Sequence, residues 1–206
     1  MKSLLAAAAG AALLCGSAAG AATVSVQAIV PDAALANPAP SAIGTVGGGT
    51  GGPPALYDNV TGDQSLSGTV IARDPWAGTT LEGEGLYSAV NRNAFVQYDF
   101  AELQRSVTLV WGSPEPFNSL MLARIVGGSV ATISGSLIAE TPVAAGEVRQ
   151  VTISGVAFDR MLLSSTDNAF EFGNLTTVPI PLPASVWLLL GGLAGLGWLG
   201  RRRAAA

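Results

Sequence analysis

The sequence contains no histidine, and its single cysteine, Cys15, stands in an apolar N-terminal run. Its single lysine, Lys2, is beside the initiating methionine. These gaps remove whole classes of chemistry from everything after residue 22. Ser-His, Cys-His and Ser-Lys catalysis each need a base or nucleophile that is missing there. Zinc and other transition metals lose their usual nitrogen and sulfur ligands. Disulfides cannot form, so a folded domain must rely on its core. An enzyme built from this chain would work with carboxylates or with a hard cation.

Charge is sparse and unevenly placed. Arg201, Arg202 and Arg203 close the chain, followed only by three alanines. The segment between the two ends holds six arginines against all 14 acids, a net charge of −8. Phosphate recognition depends on clustered Lys and Arg, so nucleic acid is not an expected partner.

The two ends carry the long apolar runs. Met1-Lys2, an apolar stretch over 4–14 and small residues through Ala22 follow the three-region order of a secretory signal peptide. Ala19, Ala21 and Ala22 mark the expected cut, made by signal peptidase after passage through the secretion machinery. Leu14 directly before Cys15 argues against a lipidated cysteine. At the other end, 184–200 is a run of 17 uncharged residues, about 25 Å as a helix and close to the lower limit for crossing a bilayer. The arginines after it predict that the tail stays in the cytoplasm, with everything before it outside the inner membrane.

Four regions follow: a signal peptide (1–22), a strand with an Ala/Gly/Pro-rich flexible segment (23–55), a β domain (56–176) and the tail (177–206). In the second, 24–30 (VSVQAIV) alternates as a strand, while 31–54 has no period. Its glycines lack the flanking strand, helix and lysine of a phosphate cradle. From residue 57 short alternating runs recur: 66–72, 85–90, 94–100, 106–111, 119–126, 129–134, 147–154, 158–164 and 169–175. Leu137 to Glu140 is a further candidate strand, and Asn91-Arg92-Asn93 a turn. The run 101–106 (AELQRS) is no more than one helical turn. Strands of this spacing, divided by Gly, Asn and Pro, predict an all-β fold, a single jelly-roll-like β-sandwich between a signal helix and a transmembrane helix.

Trp111-Gly112-Ser113-Pro114-Glu115-Pro116-Phe117-Asn118 is the most distinctive internal stretch. Trp111, Phe117 and Asn118 at a loop rim would suit a sugar ring, the aromatic faces stacking and the amide bonding hydroxyls. The competing and favoured reading is a tight turn whose aromatics close the core. Glu82 and Glu84 would share a face if extended, near the spacing glycoside hydrolysis needs. A solvated acidic loop explains them more simply. These two, or Asp58, Asn59 and Asp63, are also oxygen ligands of the kind Ca²⁺ takes, although no loop has the usual calcium spacing. No cofactor is otherwise expected. Asp159, Arg160 and Glu171 read as structural pairs near the last strands.

The tail also carries a resemblance. Pro181-Leu182-Pro183-Ala184, the apolar run that opens Ser185-Val186-Trp187, and the arginines resemble a VPLPA-CTERM sorting signal, a variant of the PEP-CTERM signals of Gram-negative bacteria. The family's leading valine is replaced by Ile180. The resemblance implies a transient membrane tether, cut near Pro181–Ala184 by an exosortase-type transpeptidase. Within the domain, 111–120 resembles the pattern W-G-S-x-D-x-Y-N-x-L of exosortase-dependent surface proteins, with Glu115 and Phe117 as departures. Phe158-Asp159-Arg160 and Ala169-Phe170-Glu171 resemble that family's closing strands. This implies a sandwich in an extracellular setting and supplies no activity. The expectation is a non-enzymatic surface or matrix protein, with extracellular polysaccharide as a candidate ligand. A permanently anchored envelope protein and a carboxylate-dependent glycan hydrolase are the alternatives.

Overall fold

The computed structural model describes residues 21–32, 46–48, 54–181 and 192. Ala19, Leu182, Pro183, Ala184, Arg201, Arg202 and Arg203 lie outside the described residues, as do most of the expected signal peptide and most of the membrane run 184–200. Among the described residues, no helix is long and apolar enough to cross a membrane.

The fold is all-β, as the alternating runs predict. The described residues form eleven strands, β1 (Thr23–Ile29), β2 (Val46–Gly48), β3 (Leu56–Val60), β4 (Gln64–Leu66), β5 (Thr69–Ala72), β6 (Tyr87–Val90), β7 (Ala94–Trp111), β8 (Asn118–Arg124), β9 (Gly128–Ser134), β10 (Val148–Ser165) and β11 (Phe170–Pro179), and one short helix, α1 (Gly135–Ala139). Nine strands form one sheet in the order β3-β6-β11-β7-β10-β8-β9, with β1 on β10 and β2 on β7. Each pairing is antiparallel, and β4 and β5 form a separate ribbon.

The sheet is built on β7 and β10, each 18 residues long. They pair from Arg149↔Trp111 to Ser154↔Ser106, lose register, and resume from Arg160↔Asp99 to Ser165↔Ala94. Both strands exchange their outer partners across that break. β10 carries β1 along 148–154 and β8 along 160–165. β7 carries β11 along 104–111 and β2 along 94–96. Gly155 makes the break possible in two ways. Its φ of +85° is strained for any residue with a Cβ. An added Cβ would also lie 2.8 Å from the Ala21 carbonyl oxygen.

Alternation puts one face of both halves into a single apolar cluster. Val107, Leu109, Val151 and Ile153 come from one side of the break, and Val96, Tyr98, Met161 and Leu163 from the other. Phe158 sits at the break, fully buried, edge-on to Phe100 at 5.9 Å. The opposite face of the first half is covered by the segment after β5. There Trp76 and Leu81 pack on Val110 and Val148, and Ala72 packs with Tyr87, Ala89 and Ala169.

Several expected boundaries are corrected. The run 66–72 is a hairpin, because Ser67 and Gly68 take φ of +52° and +81°, the left-handed pair a two-residue hairpin turn requires. The run 101–106 is strand, joining two predicted strands into β7; Gln104 pairs with both Phe158 and Pro179 there. The runs 147–154 and 158–164 likewise merge into β10. Residues 137–140 do not form a strand. The Ser134 hydroxyl accepts the Ser136 N–H and starts α1, which buries Ile138. Within the Ala/Gly/Pro-rich stretch, Val46–Gly48 is strand.

Because Phe158 fills the break from within, Phe158→Ala is expected to cost about 3–5 kcal/mol in urea unfolding. Phe100→Ala, at a partly buried position, should cost distinctly less.

Candidate functional site

The end of the sheet farthest from the break is made of three connections: 91–93, 112–117 and 166–169. The second has the composition of a rigid loop. Pro114 and Pro116 fix two backbone angles. Glu115 N–H donates to Ser113 O at 3.0 Å, and Asn118 N–H to Glu115 O at 3.0 Å. Asn118 is fully buried and ties the connections together. Its Nδ2 faces Ser113 O at 2.7 Å, Glu115 Oε2 at 2.8 Å and Ala169 O at 3.1 Å. Its Oδ1 accepts from the Ser165 hydroxyl at 2.7 Å. Thr166 N–H donates to Phe117 O, and Arg92 pairs with Asp167. The loop also needs glycine on both flanks. A Cβ on Gly112 would meet Pro75 Cβ at 2.8 Å and Glu171 Cβ at 2.9 Å, and one on Gly135 would lie 2.2 Å from Glu115 O.

Two carboxyl groups are enclosed by this arrangement. Glu171 lies between Phe170 and Phe172 on β11 and is 2% exposed. Its Oε1 accepts the Arg73 N–H at 2.9 Å, while Oε2 is buried without a hydrogen bond of normal geometry. Burial raises its pKa to about 7, against the Arg73 N–H and the amide and hydroxyl of Ser113. Glu115 also rises to about 7, first through burial and then through the charge of Glu171, with Asn118 and Arg73 opposing. Carboxyls that titrate near neutrality occur at acid–base sites. Here Glu171 is closed in by the Arg73 backbone, by Pro75 and by Gly112, while Glu115 is only half-buried.

The three residues of the less favoured sugar-ring reading are not presented together. Trp111 is 1% exposed and stacks on Phe170 at 4.2 Å, the position a core-closing turn gives it. Asn118 is fully buried, which leaves only Phe117 partly exposed. Glu82 and Glu84 lie in a turn, not an extended run. Glu82 accepts the Gly78 N–H at 2.8 Å, Glu84 N–H donates to Leu81 O, and Gly83 has φ of +75° between them. The suggested calcium ligands also hold local structure: Asp58 accepts from Ser88, and Asp63 from the Asp74 N–H. Among the described residues, no group of three or more His, Cys, Asp or Glu is placed to hold a metal ion.

Arg160 does form the expected tie, gripping Asp99 at 2.6 and 2.8 Å and holding that carboxyl below its usual range. Asp159 accepts the Ile125 N–H at 2.6 Å. Glu171 pairs with neither of these residues. Its pattern signal was present nonetheless: an acid between two phenylalanines of a buried strand must face the other side of the sheet. Arg73 gave no such signal, since it contributes its backbone.

An acid whose pKa rises on folding binds more protons in the folded than in the unfolded state. Stability therefore falls as pH climbs from about 4.5 through about 7. At about 1.4 kcal/mol per pKa unit, Glu171 alone would account for a loss on the order of 3 kcal/mol by pH 8. Thermal melts from pH 5 to 8 should show the decline, and Glu171→Gln should flatten it and raise the midpoint at pH 8.

Comparison with protein-family models, with curated proteins and with solved structures finds no significant match to this chain.

Proposed function

We propose that this is a non-enzymatic surface or extracellular-matrix protein, exported by its N-terminus and carrying a C-terminal sorting signal that an exosortase-type transpeptidase recognises and cuts. On this reading the sheet folds over at the register break into a single jelly-roll-like sandwich, presented outside the inner membrane of a Gram-negative cell. The shared apolar cluster of the two halves supports that folding-over.

One observation carries the proposal: the ordered sheet stops where the motif begins. β11 ends at Pro179, and Ile180 N–H makes a last backbone bond to Leu103 O at 2.7 Å. Pro181 follows and is exposed. Pro181 and Pro183 have no N–H to give to a sheet, a composition that suits backbone outside a ladder. A peptide-cutting enzyme needs such a stretch. The order then continues with the apolar run 184–200 and the three arginines. The non-enzymatic part of the reading draws on the missing His, Cys and Lys and on the burial of Glu171. Polysaccharide remains a candidate ligand only through surfaces other than Trp111.

The second reading is a permanently anchored envelope protein with the same topology. Intact-mass spectrometry of the natural protein separates the two. A chain beginning near Ala22 and ending within 181–184 is expected. A chain that keeps Arg203 makes the protein a permanent anchor and removes the sorting reading. A variant with Leu182→Ala and Pro183→Ala should retain the whole tail.

A further inference from the structure

The strand register brings four points of the chain to the break end of the sheet. Thr23 is opposite Ser154, Ser154 is opposite Ser106, and Ser106 is opposite Val178. The expected start of the mature chain and the last residues before the tail therefore lie on one row, three strand spacings or about 14 Å apart. The tip between β8 and β9 reaches the same end. Arg160 is opposite Ala123, and the next residues run past Asp159, which holds the Ile125 N–H at 2.6 Å. Phe158 is opposite Gln104, which is opposite Pro179, so Ile125 and Ile180 are also about three spacings apart.

This tip is apolar where a hairpin in water is normally polar. Ile125 is 49% exposed and Val126 87%. Val130, just inside β9, and Val178, at the end of β11, are 41% and 40% exposed. The tip is also fixed, by the Asp159 bond and by the turn at Gly127 and Gly128 with φ of +130° and +83°.

We propose that Ile125 and Val126 form a foot that rests in the interfacial layer of the lipid bilayer while the chain is tethered. This inference rests on the reading that 184–200 crosses the membrane. The distance argument is short. From Ile180 to Ala184 there are four residues, which span at most about 13 Å when extended. The break end must then face the bilayer at close range, and the tip is its most exposed apolar feature. An outward net charge of −8 disfavours binding driven by anionic lipid, so the contact is hydrophobic burial in the interface.

The test uses the full chain with Cys15→Ser, in which an introduced cysteine is unique. Val126→Cys, labelled with a polarity-sensitive fluorophore, is reconstituted in phosphatidylcholine vesicles with brominated acyl chains. Leu137→Cys is the control, because Leu137 is 47% exposed on α1, which follows the β9 residue opposite Ser119 at the far end. The label at 126 should shift to the blue and be quenched, and the label at 137 should do neither. Equal behaviour at both positions, in a chain that resists carbonate extraction, overturns the foot and leaves the tether intact. Loss of the chain to carbonate overturns the tether and the foot with it. A label at 126 that is shielded only in native membranes, and not in lipid vesicles, assigns the tip to a protein and overturns the lipid contact.

Discussion

The structure depends on what happens between Ser154 and Phe158. A strand of 18 residues such as β10 would, if regular, present one continuous edge to one partner. Instead a glycine at φ of +85° breaks the ladder, and the strand takes β1 before the break and β8 after it. β7 changes partners at the same level. Neither change would help unless the inward face stayed the same on both sides. It does: Val151 and Ile153 before the break and Met161 and Leu163 after it enter one cluster, because the extra residues restore the parity of the pleat. Phe158 fills the position where the two halves meet, so local backbone irregularity and core packing support each other.

The break also divides the molecule chemically. At the loop end, Asn118 is buried and alone connects three chain segments, while Asn91 Oδ1 and Trp111 Nε1 are buried without a hydrogen bond. Enclosing Glu115 and Glu171 there costs stability at neutral pH, as their raised pKa values express. The gain is positional. Glu171 anchors the segment that follows β5 through the Arg73 N–H, and that segment carries Trp76, whose burial covers the outer face of the sheet. At the break end Ile125, Val126 and Val178 are exposed, and Gln104 is buried.

Alternation made most of this fold legible. The first strand, the NRN turn and the strands near 106–111, 119–126 and 129–134 all follow from period-two patterns, and so does the all-β class. The residues that joined short strands into long ones were not legible. AELQRS has the composition of a helical turn, and only its neighbours on either side make it strand. Ser67-Gly68 is a hairpin turn that hides inside an apparently continuous LSGTVIA run. Trp111 could be weighed both ways, since a tryptophan at the end of a strand can face a ligand or a core. Alternation with Leu109 favoured the core, and the stack on Phe170 shows why. The Glu115–Glu171 association was invisible because it joins positions 56 residues apart.

The tail and the domain constrain each other through length. If 184–200 is held in the bilayer, the backbone available for cutting is the short piece between Ile180, which is bonded to Leu103, and Ala184. Its prolines offer no N–H to a sheet, and even fully extended it would reach only about 13 Å. A bulky soluble protease would collide with the break end or with the headgroups before reaching it. An enzyme whose own active site lies at the membrane surface would not. On the sorting proposal, a substrate of this length would suit a membrane-embedded catalyst. The same shortness places any cut beyond Ile180, the last described residue with a backbone bond to the sheet.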